Sequence, residues 1–156
     1  MAECRRYIGS EFLDLRNARC REMLLAKRTF WEKATILNAE YYRPRDQALL
    51  GRYSRHYYDV AMLAQGPIPG EALADRDLLV HVERHKETFD PSAWARYDLA
   101  RRGNIRVVPA ENRTAALEKD YRDMAVIIFR EPPTGRMMET LAAFEQEVNR
   151  QGGREW

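Results

Sequence analysis

Residues 24–63 read LLAKRTFWEKATILNAEYYRPRDQALLGRYSRHYYDVAML, and this stretch predicts two helices joined by a short polar turn. In its first half, four side chains recur at helical spacing and form one apolar stripe: Phe30, Ala34, Leu37 and Tyr41. Pro44 ends this helix, because the residue before a proline avoids the α region. In its second half, residues 52–64 carry an apolar set on one side: Tyr53, Tyr57, Val60, Ala61 and Ala64.

The remaining sequence predicts further helices that support this pair. We expect them at residues 75–89, 92–100, 112–129 and 136–150, with Gly and Pro between them. Short extended pieces are predicted at residues 20–26 and 105–108, and a rigid connector at residues 65–70. The 156 residues therefore predict one mainly α domain, residues 1–156, of about six helices with at most one or two short strands and a flexible tail at residues 151–156.

Composition excludes several classes of protein. Cys4 and Cys20 are too few for a disulfide framework or a cysteine zinc site. No run of about 18 apolar residues is present, which predicts no membrane span. The N-terminus has no apolar segment typical of a secretion signal, so we expect a cytoplasmic protein.

The second predicted helix carries a polar face that could act on a phosphate. Arg52, Arg55, His56 and Asp59 lie at i, i+3, i+4 and i+7, which places them on one side of the helix. Together they supply two guanidinium donors, an imidazole and a carboxylate, which can hold a phosphate and move a proton. The alternative is a solvated face with an i,i+4 ion pair between Arg55 and Asp59.

Lys33 is the second candidate. Thr29 and Glu32 have the spacing of a capping box, which predicts a helix that begins near Thr29. Lys33 would then lie near the positive end of the helix dipole, where a cation is unfavourable unless it answers an anion such as a nucleotide phosphate. The alternative is an ion pair with Glu32 or with a distant carboxylate.

The histidines do not predict a metal site. His81 and His85 lie at i, i+4, a spacing that could chelate a metal, but no third ligand is near them in sequence. We expect them on a polar helix face. No Walker loop or Gly-x-Gly-x-x-Gly run is present either.

Several segments together resemble the AbiEii/AbiGii toxin family of nucleotidyltransferases. They are RTFWEKATIL at residues 28–37, AEYYRP at residues 39–44, RYSRHYYD at residues 52–59, SAWARYD at residues 92–98 and VVP at residues 107–109. The resemblance extends from about residue 20 to residue 150.

The resemblance implies a fold and a set of roles. Members combine a nucleotidyltransferase core, in which a Gly-rich turn and an Asp-x-Asp pair bind Mg²⁺, with a helical C-terminal half. It implies that Lys33 and Asp59 are catalytic, with Lys33 on the nucleotide's phosphates and Asp59 holding Lys33. The neighbouring residues would bind phosphate (Arg52, Arg55 and His56) or support the site (Glu32, Trp31 and Tyr58).

The sequence departs from the family pattern in one major respect. It has no Gly-Gly-Thr/Ser turn followed by an Asp-x-Asp pair, and His56 stands where many members have Asp. The chain therefore resembles the C-terminal half of the family, without the ligands expected for Mg²⁺. We expect nucleotide transfer from an NTP to an RNA such as tRNA, but only with an N-terminal partner piece.

Partners and alternative functions can also be named. The resemblance implies a cognate antitoxin, and a dimer would cover the open face of half a fold. The alternatives are a non-enzymatic helical module that binds RNA or protein, and a decayed remnant without function.

Overall fold

The fold is helical. A computed structural model describes residues 15–89, 91–101, 103–124 and 134–152, and within them it contains seven α-helices, a 3₁₀ turn at Glu111–Arg113 and no strand. The helices are α1 (Leu15–Tyr41), α2 (Ser54–Ala64), α3 (Ile68–Leu73), α4 (Arg76–Phe89), α5 (Tyr97–Arg101), α6 (Thr114–Met124) and α7 (Thr134–Gly152). The mainly α class is confirmed. No helix in the described ranges is both long enough and apolar enough to cross a membrane.

Helix α1 is much longer than its sequence pattern predicted. It begins at Leu15, so both the helix start at Thr29 and the strand at residues 20–26 are wrong. Residues 15–28 are rich in Arg, Leu and Ala and contain neither Gly nor Pro, so they favour a continuous helix. Thr29 lies in the helix interior and cannot cap it. Lys33 is therefore far from the helix start, and the positive end of the helix dipole does not act on it.

The core forms where α1 crosses the other helices. Phe30, Ala34 and Leu37 of the predicted stripe are fully buried, whereas Tyr41 at its end is half-buried; Trp31, outside the stripe, is also buried. The Phe30 ring packs edge-on against Phe144 of α7, with 4.8 Å between the ring centroids. The indole nitrogen of Trp31 donates a hydrogen bond of 3.3 Å to the carbonyl of Ala72, which ties α1 to α3.

Three other local predictions need correction. Residues 65–70, predicted as a connector, include the first residues of α3. On α4 the inward residues are Leu79 and Val82, whereas Phe89, which its i+7 spacing from Val82 predicts to face inward, is 73% exposed. Residues 105–108 form no strand, and their backbone is held by side chains instead. The Glu145 carboxylate accepts hydrogen bonds from the Val107 and Val108 amides at 2.8 and 3.0 Å.

Helix α2 is capped by a carboxylate from a distant helix. No side chain at its own N-terminus caps it. Instead, Asp120 of α6 accepts hydrogen bonds from the backbone amides of Arg52 at 2.6 Å and Ser54 at 2.8 Å. Burial by itself would raise the pKa of Asp120, but the hydrogen bonds from Ser54 and the neighbouring amides hold it below its usual range. Asp120 therefore anchors the start of α2 to α6.

Replacing Asp120 by alanine is expected to lower the free energy of unfolding by about 1–2 kcal/mol, the usual cost of losing a helix cap. Because the pKa of Asp120 is lowered on folding, its contribution is complete above the unfolded value and is lost as pH falls below about 4. Urea unfolding of native and variant protein at pH 7 and pH 3 measures both effects. Asp123→Ala, at an exposed position on the same helix, is the matched control. A cost equal to that of the control would contradict the cap.

Candidate functional site

The site lies where α1 and α2 run past each other in opposite directions. Lys33 of α1 points at Asp59 of α2, and the ammonium nitrogen donates to a carboxylate oxygen at 2.6 Å. The two side chains are 20% and 36% exposed, so the pair is reachable from solvent. A lysine ammonium has three donors. Asp59 takes one and leaves the others for a further acceptor.

The pair contributes little to stability. Ion pairs with this degree of exposure contribute about 0.2–1 kcal/mol, since solvent screens them and two side chains are immobilised. Within the described residues Asp59 is paired with Lys33 and not with Arg55. The i,i+4 pair of the solvated-face interpretation is therefore not formed, and the distant-carboxylate alternative for Lys33 is the one observed.

His56 lies one helical turn before Asp59, on the same side of α2. Its Nδ1 atom is buried and has no hydrogen-bond partner in the described part of the chain. Burial lowers the pKa of His56, and the positive charges of Lys33, Arg55 and Lys86 lower it further, while Asp59 opposes them. His56 is therefore a neutral imidazole at pH 7, with one donor and one acceptor nitrogen.

Acidification is expected to destabilise the protein through His56. Its pKa is lower in the folded than in the unfolded chain, so the unfolded state binds the proton first as pH falls. Stability should be complete above about pH 6.5 and fall as pH drops through the folded pKa. Urea unfolding between pH 5 and pH 8 measures this slope. The slope should shrink in His56→Gln and persist in His81→Gln, at an exposed position of α4. An equal slope in His56→Gln and native protein would contradict the assignment.

The predicted arginines take different positions. Arg52 precedes α2 and has a φ of 63°, so it is not on the helical face that its spacing predicted. The reason is the cap, because Asp120 holds the Arg52 amide outside the helix. Arg55 lies on α2, exposed, and close enough to His56 to affect its pKa. The structure thus brings Lys33, Arg55, His56 and Asp59 together, whereas Arg52 lies before the start of α2.

The three predicted supporting residues also differ in what they do. Trp31 is 1% exposed and is a core residue of α1. Tyr58 is half-buried and packs against the core from α2. Glu32 pairs with Arg28 at 2.8 Å on the surface of α1 and is not bound to Lys33.

A cleft of about 290 Å³ opens one helical turn from the Lys33–Asp59 pair. Its walls come from α1, α2, the end of α4 and the segment that leads into α5. The lining residues are Ile36, Ala39, Glu40, Arg43, Leu50, Tyr53, His56, Lys86, Ser92, Trp94 and Tyr97. Most of them were not predicted as site residues. Glu40 lies seven residues after Lys33 on the same face of α1, and this spacing is a signal that could have found it, whereas Arg43 follows the end of the helix.

A buried carboxylate supports the cleft from within. Glu40 is 1% exposed and lies 3.2 Å from the Nε atom of Arg43 and 3.6 Å from that of Arg113. Burial raises the pKa of Glu40, and the two guanidinium groups oppose that change. Arg113 also donates to the Pro44 carbonyl at 2.8 Å, so this cluster fixes the turn between α1 and α2.

The described residues do not fit the Mg²⁺ that the family resemblance implies. They contain no group of three or more His, Cys, Asp and Glu side chains that could hold a metal ion. The sequence does contain an Asp-x-Asp run, Asp75-Arg76-Asp77, but it lies at the start of α4, and Asp75 binds Lys27 at 3.1 Å. Acidic residues at a helix start are explained by the helix dipole.

Comparison with known proteins identifies the family of the chain. An ammonium group beside a cleft with aromatic and basic walls suits a planar, anionic ligand such as a nucleotide. The family model of the nucleotidyl transferase AbiEii toxin, of a type IV toxin–antitoxin system, matches residues 23–150. The chain belongs to this family, and membership implies a cognate antitoxin. No curated protein and no solved structure matches the chain.

Proposed function

We propose that this chain forms the nucleotide-binding part of a toxin that transfers a nucleotide from an NTP to an RNA such as tRNA. The supporting observation is the Lys33 ammonium, which Asp59 holds at 2.6 Å in a solvent-reachable position between two helices. An ammonium fixed in this way is prepared for a phosphate oxygen. Family membership supplies the class of reaction.

Each charged group then has a definable task. Lys33 donates to the phosphates with the N–H groups that Asp59 leaves available. Asp59 orients the ammonium and limits its movement. A charged group that is already in place lowers the energy of the transition state without the cost of reorganisation. Arg55 adds a second positive charge at the rim, where its exposed side chain can also contact the RNA backbone.

The proposed reaction also needs groups that these residues do not supply. Phosphoryl transfer relies on groups that neutralise charge on the reacting phosphate, and in this family that task includes Mg²⁺. Three described carboxylates on or near these helices already have cationic partners: Asp59 pairs with Lys33, Glu40 with Arg43 and Arg113, and Asp75 with Lys27. We therefore propose that the chain is inactive alone and transfers nucleotides only with a piece that carries the Gly-rich turn and its Asp-x-Asp pair.

Transfer of label from each of the four α-³²P-NTPs to bulk tRNA tests this function. The chain is assayed alone, with an N-terminal nucleotidyltransferase piece of the same family, and with that piece and Lys33→Gln. We expect label on tRNA only in the second assay. Robust transfer by the 156 residues alone would contradict the need for a second piece. Equal transfer by the Lys33→Gln chain would contradict the role of Lys33.

A further inference from the structure

We propose that the cleft beside the Lys33–Asp59 pair is a nucleobase pocket, with Trp94 as the surface on which the base stacks. This inference rests on the proposed function, because it places the base of the same nucleotide whose phosphates bind Lys33. It assigns a ligand to the cleft, one wall of which consists of residues from the segment 92–97, outside α1 and α2.

The register of the two helices separates base from phosphates. On α1, Lys33, Ile36 and Glu40 follow one another along one face. On α2, Asp59 and His56 follow one another in the opposite direction, and Tyr53 just before the helix continues the row. The ion pair closes one end of this shared groove, and the cleft begins about one turn, or roughly 5.4 Å, further along. A nucleotide lying in the groove therefore reaches Lys33 with its phosphates while its base enters the cleft.

The size of the cleft fits this arrangement. Its volume of about 290 Å³ is at the lower limit of ligand pockets, which hold roughly 300–1,000 Å³. Such a volume suits a nucleoside and not an entire NTP. The triphosphate must then remain outside the cleft, next to the Lys33 ammonium and the N–H groups that Asp59 does not occupy.

Trp94 is held in place before any ligand binds. The guanidinium carbon of Arg43 lies 6.0 Å from the centre of its ring, a cation–π contact that restrains the indole. The Asn38 amide donates to the carbonyl of Ala95, the next residue, at 2.8 Å, which anchors the segment to α1. Tyr53 and Tyr97 add further aromatic surface. A fixed aromatic surface stacks any base without the cost of ordering a loop.

His56 supplies the polar group that a base edge requires. It lines the cleft, and its Nδ1 has no hydrogen-bond partner among the described residues. The charged groups around it are Lys33 from α1, Arg55 and Asp59 from α2, and Lys86 from α4. As a neutral imidazole it can donate to or accept from the edge of a base.

Binding of nucleosides separates this pocket from the phosphate site. The full chain is titrated with adenosine, cytidine, guanosine and uridine, and separately with inorganic tripolyphosphate, while tryptophan fluorescence and calorimetry are recorded. We expect at least one nucleoside to quench the fluorescence, and tripolyphosphate to bind without quenching. In a Trp156→Phe background, the further change Trp94→Phe should abolish the quenching while most of the affinity remains, because phenylalanine still stacks and the remaining Trp31 lies in the core.

Alanine at position 94 gives the size of the effect. Stacking energies of about 1–3 kcal/mol per base correspond to a loss of NTP affinity of roughly 5- to 150-fold in Trp94→Ala. Phe89→Ala removes an exposed aromatic ring outside the cleft and should change nothing. Native affinity in Trp94→Ala, or quenching that persists in Trp94→Phe in the Trp156→Phe background, would overturn the pocket. Failure of the proposed function looks different, since Lys33→Gln would then leave tripolyphosphate binding unchanged.

Discussion

Replacing Lys33 by glutamine is expected to weaken NTP binding by about 10- to 150-fold, the factor that corresponds to a charge-assisted hydrogen bond of roughly 1.5–3 kcal/mol. Glutamine keeps much of the side-chain volume and removes the positive charge. The dissociation constants of native and variant chains are compared by calorimetry at one low salt concentration, because phosphate binding depends strongly on ionic strength. Arg28→Gln is the matched control, since Arg28 is also a paired cation on α1. Arg28→Gln should bind like native protein.

Asp59→Asn is expected to have a different effect from Lys33→Gln. Asp59 competes with a phosphate for the same ammonium at 2.6 Å, so its neutralisation should leave NTP binding unchanged or make it tighter. Transfer in the presence of the N-terminal piece should nevertheless fall, because the ammonium is no longer oriented. An ion pair with a structural role alone would give another pattern, in which both variants lose about 0.2–1 kcal/mol of stability and neither changes NTP affinity. That pattern would contradict the proposed function.

Trp31→Ala is expected to lower the free energy of unfolding by about 3–5 kcal/mol, the largest effect on stability that we predict. The indole is 1% exposed and touches the rings of both Phe30 and Phe144, so alanine leaves a cavity that the helices cannot close. Domains of this size have total stabilities of about 5–15 kcal/mol, so the variant should be close to unfolding at 37 °C. Urea titration followed by circular dichroism measures the change.

Trp31→Phe divides this effect into its parts. It keeps an aromatic ring in the core and removes the hydrogen bond to the Ala72 carbonyl. A loss well below that of alanine is expected, because much of the buried apolar surface remains. Its NTP affinity should remain native, since Trp31 lies in the core and not in the cleft. A loss as large as that of alanine would show that the hydrogen bond, and not packing, dominates at this position.

Local sequence patterns predicted the helices well where apolar spacing was regular. Residues 75–89 and 136–150 were predicted as helices, and they form α4 (Arg76–Phe89) and α7 (Thr134–Gly152). The start of α1 was missed because the capping-box spacing of Thr29 and Glu32 also occurs inside helices. Without a break at Gly or Pro, the strong helix formers before Thr29 continue the helix.

The site was predictable only in part, for a physical reason. Spacing along a helix indicates which residues share a face, but it does not indicate which face of a neighbouring helix that face packs against. Lys33 and Asp59 are 26 residues apart, and their pairing depends on how α1 and α2 pack. The likeness to the family implied that pairing, whereas the residues alone left Glu32 and a distant carboxylate open. Trp94 lies still further along the chain, so its place in the cleft was beyond any local pattern.

The most direct test of the nucleotide site is a crystal structure of the chain with a non-hydrolysable NTP analogue. We expect a phosphate oxygen within about 2.7–3.2 Å of the Lys33 ammonium. We also expect the base to lie in the cleft against Trp94. A nucleotide bound elsewhere, with the Lys33–Asp59 pair untouched, would contradict the proposed site.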